Sequence, residues 1–284
     1  MSIRKYADIA PEHARPTLKF DLPELIYPKR LNSVKTVLEG AEEAGWSDRV
    51  VYYSGGHAYT FAAVSKSVHR SAAALRFLGI RPGDPVILRI PDTIDLVVTL
   101  LAVQAIGAIA VPTYIQLRAD DLVYRAEDAD ATLLISAPEL LIEALPVNVA
   151  RGGRTEVIAL PSDPEGRCRN FIDYLPDTDV EAKYVDTHAE ELCLLLYTSG
   201  STGKPKGTSH CHRDMLAISD TYWRYCLAPA PDDVFGGPPS IAFALGFGMF
   251  VYFPLRLGHA AILEPDKSPE LALKQIIEYG VTIF

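Results

Sequence analysis

The chain has little of what marks several protein classes. Its four cysteines, Cys168, Cys193, Cys211 and Cys226, are scattered through 284 residues with no close pairing. A disulfide framework is therefore not expected, and free thiols in a reducing cytoplasm are the simplest account. No block of Lys or Arg stands out, and the formal net charge is -9. That argues against nucleic acid or an anionic membrane as a partner, although a local positive loop can still bind a nucleotide. The most apolar run, Leu96 to Val111, is shorter than a membrane span and broken by Thr99, Gln104 and Gly107; it reads as a buried helix entering a strand. Met1 to Arg30 alternates charges with prolines and holds no apolar core of the kind a signal peptide needs, so a cytoplasmic protein is expected.

What is present is a large stock of core-forming residues, about half of the chain being hydrophobic, and a repeating order of elements. Thr60 is placed to cap a helix whose Val64, Val68, Ala72 and Leu75 recur at helical spacing, and Gly79 with Pro82-Gly83-Asp84 turns the chain into a strand from Val86 to Ile90. A helix over 93–106, a strand over 108–111, a helix over 119–128 and a strand over 132–136 follow. Later stretches read as helices over 214–225, 241–255 and 269–279, with strands over 260–263 and from Val281 onward. Helices alternating with continuously apolar strands predict an α/β fold with parallel sheets covered on both faces. The expected organisation is an extension over 1–48, a first α/β subdomain over 49–176 and the start of a second over 177–284, with polar, Pro-rich connections such as 161–176 between them.

The most informative segment runs from Leu194-Leu195-Leu196 through Tyr197, Thr198, Ser199, Gly200, Ser201, Thr202 and Gly203 to Lys204-Pro205-Lys206-Gly207. An apolar strand passes straight into a loop rich in hydroxyls and glycines. Gly200, Gly203 and Gly207 allow main-chain N–H groups to approach a polyanion closely, the Thr and Ser hydroxyls add donors, and the two lysines add positive charge. A Walker loop would need Gly at Thr198 and Ser or Thr at Pro205, so this is a different phosphate loop. A flexible Gly/Ser linker is the plain alternative, set aside because a buried strand precedes the segment and Lys204-Pro205-Lys206-Gly207 closes it.

Tyr197 to Gly207 resembles the phosphate-loop signature of the adenylate-forming superfamily, which includes acyl- and aryl-CoA ligases, luciferases and the adenylation domains of peptide synthetases. The resemblance implies the large amino-terminal domain of that fold, and chains of the family extend well past the equivalent of Phe284, so a longer protein with a further carboxy-terminal portion is expected. It implies ATP, Mg²⁺ and coenzyme A as cofactors or co-substrates. It also implies phosphate contacts from Thr198, Ser199, Gly200, Ser201, Thr202, Gly203, Lys204 and Gly207, and charge compensation by Lys206 as the catalytic residue. Left to itself, Lys206 also reads as a solvated surface lysine.

Downstream, His210, Cys211 and His212 form a row of potential metal ligands, but no second ligand cluster is visible, and the start of a helix near Asp214 is the simpler reading. No metal ligand is assigned. The stretch Gly236 to Gly248 matches the part of the family that lines the acyl pocket, with Phe243 as the residue beside the reacting acid and Ala242 and Gly246 as further substrate contacts. Where many relatives carry a Phe-His pair, this chain has Ala242-Phe243-Ala244-Leu245, so a histidine contact is missing and a more apolar wall is expected. Phe247 and Phe250 read equally well as packing or as pocket. The run 238–257 most resembles benzoate- and 2-aminobenzoate-CoA ligases, which points to an aromatic acid activated as acyl-AMP and transferred to CoA. An adenylation domain serving a carrier protein and a non-catalytic nucleotide-binding module remain the alternatives.

Overall fold

The computed structural model of the protein describes residues 13, 17, 19–181, 183–199 and 203–284. In chain order the strands are β1 (Val50–Ser54), β2 (His57–Thr60), β3 (Pro85–Arg89), β4 (Ile109–Pro112), β5 (Leu133–Ser136), β6 (Glu156–Ala159), β7 (Arg169–Asn170), β8 (Leu192–Thr198), β9 (Lys206–Cys211), β10 (Val234–Phe235) and β11 (Ala260–Leu263). The helices are α1 (Ser33–Glu43), α2 (Phe61–Phe77), α3 (Ile94–Ala105), α4 (Ala119–Asp128), α5 (Leu141–Ala150), α6 (His212–Ile218), α7 (Ala244–Phe247), α8 (Phe253–Leu257) and α9 (Pro269–Tyr279). Wider π-type turns over Ser219–Leu227 and Gly248–Tyr252 prolong α6 and join α7 to α8.

These strands form a seven-stranded sheet in the order β7-β6-β5-β3-β4-β8-β9 and a four-stranded sheet in the order β10-β11-β1-β2. The larger sheet is parallel except for the β8–β9 hairpin at its edge. β3, β4 and β5 are buried along their whole length, as strands of a parallel sheet covered on both faces must be. One face packs Val86 and Leu88 into the main core; the other packs Ile87, Val111 and Leu134 against α4 and α5. The α3 helix is buried on every side from Leu96 to Ala105, which is why its sequence is apolar all round rather than striped.

Two expectations need correction. The division at residue 176 does not follow the sheets: β1 and β2 from the first stretch pair with β10 and β11 from the second, while β8 and β9 complete the sheet built by β3 to β7. Strand pairing is decided by which apolar faces meet, not by order along the chain. The helix read over 214–225 begins at His212, because the Asp214 carboxylate accepts from the Cys211 N–H and fixes the cap there. Among the described residues no helix is long and apolar enough to cross a membrane.

Candidate active site

The phosphate-loop segment is the connection of a hairpin. β8 runs beside β4 and pairs antiparallel with β9, with Thr198 opposite Lys206 and Tyr197 opposite Gly207. The hydroxyl of Thr198 and the ammonium of Lys206 therefore stand on neighbouring strand ends, and Thr198, Ser199, Gly203, Lys204 and Lys206 are exposed. Gly203 has a φ of 88°, a conformation that glycine adopts at no steric cost. Gly200, Ser201 and Thr202, also read as phosphate contacts, lie outside the described residues.

Helix α4 braces this hairpin. The Tyr197 hydroxyl donates to the Asp128 carboxylate at 2.7 Å, and the Arg125 guanidinium lies 5.2 Å from the Tyr197 ring centre. Burial, reinforced by Asp128, pushes the Tyr197 phenol well above its ordinary pKa, so it acts as a fixed donor. The Tyr124 hydroxyl donates to the Pro205 carbonyl at 2.9 Å. The Lys204 ammonium lies 5.7 Å from the Tyr124 ring centre, a cation–π contact. Lys206, by contrast, forms no ion pair with any described residue.

Beside the loop lies a cleft of about 530 Å³, built at the carboxyl ends of β3 and β4 and closed by the connections that leave β10 and β11. Ligands of open α/β sheets bind at such strand ends. Because β4 neighbours β8, cleft and phosphate loop open on the same edge of the larger sheet. Phe243 lines the cleft, 47% exposed, with its ring centre 5.5 Å from that of Tyr114. Its polar lining includes Asp92, Thr113, Gln116, Ser240, Asp266 and Lys267, so the wall is less apolar than the sequence suggested.

The other proposed acid contacts fall elsewhere. Ala242 is buried behind the wall, and Phe247 and Phe250 pack in the core. Gly246 is a packing glycine: an added Cβ would lie 2.2 Å from the Ser240 carbonyl oxygen. Phe247 and Phe250 do not follow Phe243 into the cleft, because Phe243 has extended backbone at the helix cap. Asp92, Lys267 and Tyr114 were missed. Asp92 carried a readable signal, a polar residue just past a buried strand and before a helix, whereas nothing local marks Lys267.

His212 is fully buried, with its Nδ1 2.9 Å from the Ser33 hydroxyl, so it cannot join His210 in a metal site. Among the described residues no three His, Cys, Asp or Glu side chains converge as metal ligands. The exposed hydroxyls and lysines of the hairpin are of the kind that donate to phosphate, whereas the residues around them offer no cluster of metal ligands among those described. A second cleft, about 630 Å³ at the start of α1, holds Arg30 and Lys35 paired with Asp186 and Glu39, together with Lys183.

The chain is 28% identical over 265 residues to the benzoate–CoA ligase of Thauera aromatica, covering 92% of this chain and 50% of that protein. It is 30% identical over 253 residues to the p-hydroxybenzoic acid–AMP ligase FadD22 of Mycobacterium tuberculosis, covering 89% of this chain and 33% of that protein. Its fold matches the crystal structure of a benzoate CoA ligase from Burkholderia xenovorans LB400 with a TM-score of 0.78 at 25% identity, over 88% of this chain and 48% of that one. The chain thus spans between a third and a half of the length of these relatives. The family model described as AMP-binding enzyme matches residues 40–284, and the chain belongs to that family.

Proposed function

We propose that the chain carries the ATP-phosphate and acid-binding portion of a cytoplasmic ligase that activates an aromatic carboxylic acid and transfers it to CoA. The observation that carries this reading is the shared edge: an exposed hydroxyl- and lysine-bearing hairpin next to a cleft walled by Tyr114 and Phe243. In the first step a carboxylate oxygen attacks the α-phosphorus of ATP, an O–P bond forms, and the bond to pyrophosphate breaks with its electron pair leaving on pyrophosphate. In the second the CoA thiol adds to the acyl carbon, its proton is lost to solvent, and AMP leaves.

The first step brings an anion to a polyanion, so charge neutralisation and in-line positioning govern its rate. Thr198, Ser199 and the glycine-bearing turn would hold the terminal phosphates, and Lys206, uncommitted to any described carboxylate, would meet the charge that grows on pyrophosphate. Lys204 contributes less, being held on Tyr124. Mg²⁺ would travel with ATP as a counter-ion of its phosphates. The Tyr114 and Phe243 rings, packed against each other, offer an aromatic wall for a flat acid, and the similarity to a benzoate–CoA ligase and to a p-hydroxybenzoic acid–AMP ligase supports that choice over the acetyl-CoA synthetases that also match.

The test is acid-dependent exchange of labelled pyrophosphate into ATP by the full-length protein, with benzoate, 2-aminobenzoate and a medium-chain fatty acid. Exchange with an aryl acid that is lost in Lys206→Ala supports the reading. ATP binding without exchange on any acid overturns it and leaves a nucleotide-binding module. Thioester formation on free CoA, against none, decides between CoA and a carrier protein as acceptor.

A further inference from the structure

The cleft is crossed by a single buried carboxylate. Asp92 follows β3 of the larger sheet and is only 7% exposed. Its Oδ1 accepts from the Ser240 hydroxyl and from the Ile241 N–H, each at 3.2 Å, and its Oδ2 lies 3.2 Å from the Lys267 ammonium. All three donors belong to connections of the smaller sheet, two leaving β10 and one leaving β11. Burial pushes the Asp92 carboxyl above its ordinary pKa, and Lys267 acts against that; a buried charge of this kind persists when it is paired and hydrogen-bonded.

What hangs from Asp92 is the aromatic wall. Ser240 Oγ, held by Asp92, accepts in turn from the Ala242 N–H at 3.3 Å, and the Ser240 carbonyl accepts from the Phe243 N–H at 3.0 Å. The Phe243 carbonyl then starts α7 by accepting from the Phe247 N–H at 2.8 Å. The position of the Phe243 ring relative to Tyr114, which stands on the β3–β4 side, is thus set through one side chain. Lys267 is fixed from two directions, by Asp92 and by the Phe250 ring, whose centre is 5.4 Å from the ammonium.

We propose that Asp92 is a positioning residue that sets the width of the acid cleft, tying the Ser240–Phe243 turn to the larger sheet, with Lys267 as the partner that neutralises it. Asp92 would decide which ring sizes are accepted without touching the reacting atoms. The inference rests on the acid-binding reading of the cleft.

The experiment measures acid KM, ATP KM and kcat for exchange by the full-length protein with benzoate and with the bulkier 2-naphthoate. In Asp92→Ala the acid KM for benzoate rises about ten-fold while ATP KM and kcat stay within about three-fold, and the preference for benzoate over naphthoate shrinks. Asp92→Asn keeps an oxygen that accepts from Ser240 and Ile241, and restores most of the benzoate KM. Should Asp92→Ala not fold, Ser240→Ala removes part of the same tie and shifts acid KM in the same direction by less. An unchanged acid KM and unchanged preference would sink the positioning role. So would a rise of both KM values with a matching fall in kcat that Asp92→Asn does not reverse. Absence of aryl-acid exchange in the unmodified protein would instead refute the acid-binding reading, and this inference would fall with it.

Discussion

Gly207 lies directly beneath the ring of Tyr197: a Cβ at Gly207 would sit 3.3 Å from the tyrosine Cζ. The two residues are cross-strand partners at the base of the β8–β9 hairpin, and the glycine leaves room for the ring to reach Asp128. An aromatic ring covering a glycine on a neighbouring strand is also a way to protect that strand's backbone.

Gly207→Val therefore forces the ring away from Asp128 or the strands apart. Overpacking of this kind costs about 1–3 kcal/mol. Urea unfolding is expected to show a lower midpoint with the same slope, and pyrophosphate exchange to fall with it. An unchanged midpoint would mean that Tyr197 relaxes freely and does not brace the hairpin.

The two lysines of the loop are expected to behave unequally. Lys206 is exposed and makes no ion pair with a described residue, whereas Lys204 rests on Tyr124. Lys206→Ala should lower kcat for exchange by about 10²–10³, the usual effect of removing one preorganised donor from developing charge. Lys204→Ala should lose only the cation–π contact, about 0.5–1 kcal/mol, and change kcat by a few-fold. Equal losses would show that position on the hairpin does not separate their roles.

Burial holds the His212 imidazole down to about 3, against an ordinary value of about 6.5. Below about pH 6.5 the unfolded chain takes up a proton that the folded chain refuses, so stability is lost as pH falls toward about 3, at a slope of about 1.4 kcal/mol per pH unit. His69, His210 and His259 are shifted down as well, each chiefly by burial, so the single substitution His212→Gln isolates one share of the slope. Urea titrations between about pH 7 and pH 5 should show a shallower decline in that variant. Parallel declines would assign the acid sensitivity to other groups.

Local signals were read well. The bounds of α4 and α9 follow from helical spacing and from Pro269, and the cap of α2 from Thr60, whose hydroxyl accepts from the Ala63 N–H. The turn from buried strand to exposed loop at Thr198 was legible because burial and exposure change there within a residue or two. Half of the candidate site was not legible. Phe243, Phe247 and Phe250 share a helical spacing, yet only Phe243 reaches the cleft, because the chain is extended up to the cap. Nor does helical spacing show that His69 is hydrogen-bonded to the Tyr184 hydroxyl at 2.8 Å, a partner far along the chain.

The sequence by itself determined the α/β class, most of the elements and the passage from buried strand to exposed glycine-rich loop, since these rest on periodicity, caps and glycines that act over a few residues; that the loop returns as β9 was not read from it. Only the tertiary structure decided that β1 and β2 join β10 and β11, that Asp92 meets Ser240 and Lys267, and that Ala242 and Gly246 stand behind the wall rather than in it. Those meetings are long-range: they depend on which buried faces find each other once parallel strands have been carried across by helices, and no local spacing records that choice.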